Sequence, residues 1–428
     1  MATKASLPLA HDDVLTGLLT ASGFRARLDA WASDEPEVAI QAMLVSFHRF
    51  HSVNLAYGEA AGDLALAEIA HRIREFCAEE LENEALLARI GGRDFLLASH
   101  EPLSRERWQW LAEALGASLS RPIQLGGEGV RLSPRTALLR GAPGENAATL
   151  FDRLDETQSQ LQKQSGRRLL WADGSHPVRA RSAARLEADL LGAIDRREIG
   201  ILFQPQFDTI SGELVGAEAL ARWDHPALGR VGAGTLFAVA DRADLVAPLS
   251  RHIAERALEL AAGWSRPLRL SLNVTAEDFA EGNFGESFGA ALAASGFAAT
   301  RLTLEITEQA LIHDLDGSAE ILRGLAAAGV CIALDDFGTG FSNFRYLKVL
   351  PVGCLKLDRS IVRDVASDPR DRTILRALVA MARALDLKLV AEGVEERAQL
   401  AVLREEGCET YQGFLGSHPL DSDALMSL

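Results

Sequence analysis

The chain has 428 residues, enough for two domains. It is 48% hydrophobic and carries a formal net charge of −16. That charge excludes a general binder of nucleic-acid polymers or anionic membranes, which presents a basic face. A small phosphorylated ligand held by metal ions and a few local cations stays compatible with it. No apolar run approaches the roughly 18–20 residues that span a bilayer, and the opening MATKASLPLAHDD lacks the charged start and apolar core of a secretory signal. Cys77, Cys331, Cys354 and Cys408 form no CxxC pair, which points to buried reduced thiols in a reducing compartment. The expectation is a soluble, cytoplasmic protein without membrane contact.

The sequence changes character at RRLLWADGSHPVRARS, Arg167 to Ser182, where Gly, Pro, Ser and arginines lack periodicity. This divides the chain into a domain at 1–172, a linker at 173–185 and a domain at 186–428. The second domain opens with a helical pattern, Leu186, Leu190, Leu191 and Ile194. Eight short strand-like runs follow: GILFQPQF, LVGAEALARW, LRLSLNV, RLTLEIT, VCIALDD, GCLKLD, KLVAEGV and CETYQGF. Helical segments such as LSRHIAERALELAAGW and SAEILRGLAAAG separate most of them. The pattern and the length suggest a TIM-like (β/α)₈ barrel.

Polar residues recur late in these runs: Glu218, Asn273, Glu305, the pair Asp335 and Asp336, Lys356 with Asp358, Glu392 with Glu395, and Gln412. In such barrels the C-terminal ends of the strands build the active site. A set of carboxylates and an amide, without His or Cys, suits a hard cation such as Mg²⁺, Mn²⁺ or Ca²⁺ and argues against zinc. Paired aspartates can bridge two ions that activate water for in-line displacement at phosphorus. Lys356 could neutralise charge or order the water, and Glu392 could take its proton. Any one of these acids alone could be a cap or half of a salt bridge. From the residues, the ring supports a metal-dependent hydrolase or lyase on a barrel.

The second half also resembles a known family. Glu218-Ala219-Leu220 reads EAL. FQPQ at Phe203–Gln206, NVT at Asn273, LEITE at Leu304–Glu308, DDFGTGFS from Asp335, LKLD at Leu355–Asp358, AEGVE at Ala391–Glu395 and YQGF at Tyr411–Phe414 complete an EAL-domain pattern in order and spacing. The resemblance implies hydrolysis of cyclic di-GMP to linear pGpG with Mg²⁺ or Mn²⁺, two ions being expected. It implies that Glu218, Asn273, Glu305, Asp335 and Asp336 hold metal, and that Lys356 and Glu392 position and activate water. Gln204, Leu220, Arg222 and Gln412 would contact the substrate. Glu308 and Glu395 would support the loop after Asp336, a loop linked in the family to dimerisation, so a homodimer through this domain is expected. Asn343 and Arg345 vary that loop, and Gly416 and His418 depart from the family only at the periphery.

The first half resembles a GGDEF domain, an α/β nucleotidyl-cyclase-like fold that makes cyclic di-GMP from GTP. DVLTGLLTASGF matches its opening, and the signature reads IGGRDFLL. Arg93 and Asp94 stand where two acids are expected, and Ser46 and His48 replace the strand aspartates. Cyclisation needs carboxylates to hold metal on the triphosphate. Ser46 removes a ligand, and Arg93 puts a cation where metal should bind. Glu82 and Ala85 occupy the positions of the inhibitory RxxD motif. The domain is therefore expected not to be a cyclase. It remains open as a structural or protein-contact module, or as a binder of GTP through Asn54 and Arg93. The alternative reading of the whole chain is a cyclic di-GMP receptor that binds without turnover. The intact set of metal ligands and base favours the enzyme.

Overall fold

The computed structural model describes residues 12–47, 50–81, 85–125, 128–164, 166–173, 183–280, 282–311, 314–338 and 345–428. They form two compact units: Met1–Arg185 with Asp224–Thr235, and Leu186–Trp223 with Leu236–Leu428.

The first unit is built on strands β1 (Gln41–Phe47), β2 (Leu86–Arg89), β3 (Asp94–Ser99), β6 (Pro134–Arg140) and β7 (Leu169–Trp171), in the order β2-β3-β1-β6-β7. A short hairpin, β4 (Ile123–Leu125) with β5 (Glu128–Val130), stands apart from that sheet. QAMLVSF becomes the central strand because every one of its residues is buried, as a strand covered on both faces requires. One face packs Leu44, Leu96 and Leu139 against Phe24 and Leu28 of the helix Ala21–Asp34 and Leu150, Phe151 and Leu154 of the helix Ala147–Lys163. The other presents Val45, Phe95 and Leu97 to Ile73 and Leu115, which lie in the helices Glu59–Glu80 and Arg105–Leu119. The result is an α/β/α sandwich, with side chains alternating between two apolar layers.

In the second unit all eight strand-like runs become strands: β8 (Ile199–Asp208), β9 (Leu214–His225), β11 (Arg269–Val274), β12 (Leu302–Thr307), β13 (Cys331–Phe337), β14 (Val352–Leu357), β15 (Lys388–Ala391) and β16 (Thr410–Gln412). A three-residue strand, β10 (Gly229–Val231), lies in the segment Asp224–Thr235 that groups with the first unit. From β9 through β16 the barrel neighbours run parallel, and β8 closes the barrel by pairing with both β9 and β16. Both of those pairings are antiparallel. This is the one departure from an all-parallel (β/α)₈ barrel. Its cause is local: only residues 209–213 join β8 to β9, a hairpin length, whereas a parallel return needs a crossover of about a dozen residues or more.

The helices between the other strands follow the periodicity of the sequence, with Val246–Ala262 and Leu315–Ala327 among them. Asp314 caps the second of these by accepting from Gly317 N. The four cysteines are free thiols; Cys77, Cys354 and Cys408 are buried and Cys331 is half-buried. Among the described residues no helix is long and apolar enough to cross a membrane.

Candidate active site

The parallel strands deliver their polar residues to a single mouth of the barrel. The register places Glu218 beside Ser271, Asn273 beside Glu305 and Thr307 beside Asp335. Glu218 is only the fifth of twelve residues in β9, a strand that runs on beyond the level of its neighbours.

Lys356 is the hub. Its Nζ lies 2.5 Å from Glu305 Oε2, 2.7 Å from Glu392 Oε1, 3.2 Å from Asp335 Oδ2 and 3.4 Å from Glu218 Oε2. The side chain is among the most deeply buried large ones in the protein. A buried ammonium is tolerated only when paired, and here four carboxylates surround it. Burial opposes the charge on Lys356, but Asp335, Glu218, Glu305 and Glu392 outweigh it and raise its pKa well above the ordinary lysine value.

The acids divide by environment. Burial pushes Glu218 up, yet the Lys356 charge and hydrogen bonds from Gln412 and Asn273 prevail and hold it below the usual carboxylate range. Those bonds are Gln412 Nε2 to Oε2 at 2.7 Å and Asn273 Nδ2 to Oε1 at 2.8 Å. Glu305 is almost completely buried, and desolvation together with the Glu218 charge raises it well above its ordinary value. Glu392 is pushed up to about 8, chiefly by desolvation, against the pull of Lys356. Asp336 is pushed up to about 6 by desolvation and by Asp335 and Asp358. One ammonium among these carboxylates leaves a surplus of negative charge that protons or cations must meet.

Asp335 and Asp336 are neighbours in a strand, where side chains ordinarily point to opposite faces. Asp336 has φ +54°, in the left-handed region, and the β13–β14 register shifts between Leu334 and Phe337. The turn lets both carboxylates reach the same place: oxygens of Asp335, Asp336 and Glu392 all lie within 4.8 Å of one another. Asp336 N donates to Asp335 Oδ1 at 2.9 Å. Three carboxylates this close, with oxygen donors only, fit a hard divalent cation.

Two residues that the sequence reading passed over complete the arrangement. Gln206 Nε2 donates to Gln412 Oε1 at 3.0 Å, leaving the Gln412 amide to donate to Glu218 and, at 2.9 Å, to Glu392. Its signal was the alternation in FQPQ, where Gln204 and Gln206 share one face of an apolar strand and are both buried. Arg359, directly after Asp358, crosses Gly393 and pairs with Glu395 at 2.8 Å. Gly393 has φ +63°, and a Cβ there would stand 2.4 Å from Arg359 Cγ, so the glycine of AEGVE is required by backbone conformation and by close approach alike.

The remaining expected residues sit as follows. Gln204 Nε2 donates to Ser417 O at 2.8 Å, Arg222 is buried with Nη1 donating to Ala221 O at 2.8 Å, and Leu220 is half-buried. Glu308 begins a 3₁₀ turn, Glu308–Leu311, and its side chain lies outside the described residues, as do residues 339–344 with Asn343. In the first unit Ser46 of β1 faces Asp94 of β3, and Phe47 N donates to Arg93 O at 3.4 Å. Asp94 Oδ1 is buried without a hydrogen-bond partner. His48 and Glu82 lie outside the described residues.

A barrel with this lysine-centred acidic mouth, preceded by an α/β sandwich, has clear relatives. Residues 187–419, more than half of the chain, match the EAL domain, and residues 10–168 match the family described as diguanylate cyclase, GGDEF domain. The chain belongs to the EAL-domain family, in the tandem GGDEF–EAL arrangement. It is 34% identical over 385 residues to the bifunctional diguanylate cyclase/cyclic di-GMP phosphodiesterase MucR of Pseudomonas aeruginosa, covering 88% of this chain and 55% of that protein. It is 32% identical over 403 residues to the cyclic di-GMP phosphodiesterase NbdA of the same organism, covering 90% of this chain and 49% of that one. The chain thus spans about half the length of these two relatives. A solved structure described as the PaMucR phosphodiesterase in complex with c-di-GMP superposes with a TM-score of 0.53 at 36% identity, over 56% of this chain and 99% of that one.

Proposed function

We propose that the barrel unit hydrolyses cyclic di-GMP to linear pGpG in a reaction that depends on Mg²⁺ or Mn²⁺. The observation that carries the proposal is the single hydrogen-bonded cluster of Glu218, Asn273, Glu305, Asp335, Lys356, Glu392 and Gln412, with Asp336 turned toward it. Glu218, Asn273, Glu305 and Asp335 would hold one ion, and Asp335 with Asp336 a second. Bound ions would polarise the phosphate, acidify a coordinated water and favour the ionised forms of the acids beside them.

The chain's own groups do the rest. Glu392 takes the proton of the attacking water as its oxygen bonds to phosphorus and the P–O3′ bond breaks, and the leaving 3′ oxygen takes a proton from solvent water. Lys356 holds Glu392 and the metal-side acids in place. Arg222, Gln204 and Leu220 would contact the dinucleotide, with Arg222 on a phosphate. Glu308 and Glu395 support the loop after Asp336, through which a homodimer would form. The first unit, with Ser46 and Arg93 in place of acids, does not cyclise GTP. Its role is structural or regulatory, through a protein partner or through bound GTP. With its free thiols and its nucleotide substrate, the protein works in the cytoplasm.

The test is to incubate purified protein with cyclic di-GMP and Mg²⁺ or Mn²⁺, with and without GTP, and to separate the products. Formation of pGpG, lost in Glu218→Ala and Asp335→Ala variants that still fold, is expected. Ligand binding with no pGpG under any condition would make the protein a receptor instead.

A further inference from the structure

The residues expected to hold metal do not share one support. Glu218, Glu305 and Asp335 each pair with the buried ammonium of Lys356. Asn273 has no hydrogen bond to that lysine. The residue is exposed, and its side chain makes one hydrogen bond among the described residues, from Nδ2 to Glu218 Oε1. It is the next-to-last residue of β11. An amide carries no charge to draw it onto a cation, so its place on the ion depends on the backbone beneath it.

That backbone is tied down just past the strand. Asp278 Oδ2 accepts from Thr275 N at 2.8 Å, from Thr275 Oγ1 at 3.0 Å and from Ser250 Oγ at 2.8 Å. Thr275 follows β11 directly and precedes the short helix Ala276–Ala280. The bond from Thr275 N is half of a capping box, a device of the short helix alone. The bond from Ser250 is different, because Ser250 belongs to the helix Val246–Ala262. One carboxylate oxygen thus joins the end of a barrel strand to a longer helix. Ser250, Asn273 and Asp278 also border one cavity of about 30 Å³, room for roughly a single water. The junction therefore lies against the residue it would hold.

Asp278 is buried, burial raises its pKa, and among the described residues it pairs with no cation. A carboxylate stays in such a place only where its hydrogen bonds outweigh its desolvation. Capping alone does not require this. Asp368 caps the helix Pro369–Ala384 from an exposed position, accepting from Arg370 N at 2.7 Å.

We propose that Asp278 is a positioning residue for hydrolysis: by fastening the turn after β11 to the helix Val246–Ala262, it sets the amide of Asn273 on the metal. The inference rests on the metal-dependent reading of the barrel.

The experiment is calorimetric titration of the full, metal-free chain with Mn²⁺, beside cyclic di-GMP hydrolysis at saturating Mn²⁺ and a thermal melt of each sample. Asp278→Ala should bind Mn²⁺ about 10–100-fold more weakly and lose kcat by a similar factor. Asp278→Asn, which keeps an acceptor of the same shape, should recover both to within about threefold of the parent. Ser250→Ala, which removes only the link between helices, should weaken both by about threefold or more, and it carries the test if Asp278→Ala does not fold. Asp368→Ala, the loss of an ordinary cap, should lower the melting temperature and leave both quantities unchanged. Parent-like affinity and kcat in Asp278→Ala, or in Ser250→Ala where the first does not fold, would overturn the inference. So would an asparagine variant no better than the alanine, or equal losses in Asp368→Ala. A parent protein that neither binds Mn²⁺ nor forms pGpG would bring down the reading of the barrel, and this inference with it.

Discussion

The two units present acids at the ends of strands, with opposite fates. At the barrel mouth, carboxylates from several different strands converge on one buried lysine, and each has a charge or hydrogen-bond partner. At the edge of the sandwich, Ser46 stands opposite Asp94, Arg93 precedes it, and a buried oxygen of Asp94 has no hydrogen-bond partner. A sheet supplies the same scaffold in both places. What differs is whether the charges it gathers are balanced for a metal, and that is settled by a few side chains without disturbing the fold.

The most severe way to break the contrast is to remove the hub. Lys356→Met should lower cyclic di-GMP hydrolysis by roughly a thousandfold or more. It should also destabilise the protein by about 3–5 kcal/mol, since breaking a buried ion cluster strands the remaining charge. Urea unfolding beside a product assay tests both, and a variant of near-parent stability would mean that the lysine only accompanies the acids.

A smaller effect comes from pH. The pKa values of Asp336 and Glu392 are pushed up to about 6 and about 8 in the metal-free protein. A carboxyl group with a raised folded-state pKa stabilises the fold below its unfolded pKa, and that contribution is lost as pH rises through the folded value. Metal-free protein should therefore melt at lower temperature as pH climbs from about 4.5 to 8. Mn²⁺ affinity should rise by about 10–100-fold between pH 6 and pH 8, with protons released on binding. Calorimetry in buffers of different ionisation enthalpy measures both quantities, and an affinity flat across that range would count against the metal reading.

The smallest expected effect lies in the other unit. Ser46→Asp with Arg93→Glu, which restores acids at the degenerate edge, should leave hydrolysis at the barrel within about twofold, because neither residue belongs to the barrel unit or contributes to its acidic cluster. A large change would show that this edge governs the barrel, and that the two regions are not as separable as their chemistry suggests.

Much of this was legible in the sequence. The eight strand runs gave the barrel, and the polar residues within them gave its mouth, because parallel strands place corresponding positions side by side. Residues 209–213 also held the antiparallel course of β8, since a hairpin-length link cannot return a parallel strand. Gln206 was overlooked because it contacts another side chain, and pattern alone does not distinguish a ligand from the residue that orients it. The left-handed backbone at Asp336 left no mark, as aspartate is ordinary on either side of φ = 0. The grip of Arg359 on Glu395 depends on a crossing over Gly393 that only three dimensions supply.

The turn at Asp336 has a consequence for how such a protein can change over generations. That position makes two demands at once: a backbone at ease with positive φ, and a negative charge beside Asp335. Glycine and asparagine meet the first, glutamate the second, and aspartate both. Asparagine is a single-base neighbour of aspartate in the genetic code, so the least conspicuous mutation at this codon would silence the chemistry and leave the fold at rest. A lineage of these barrels can thus drift from turnover toward mere occupancy in one quiet step.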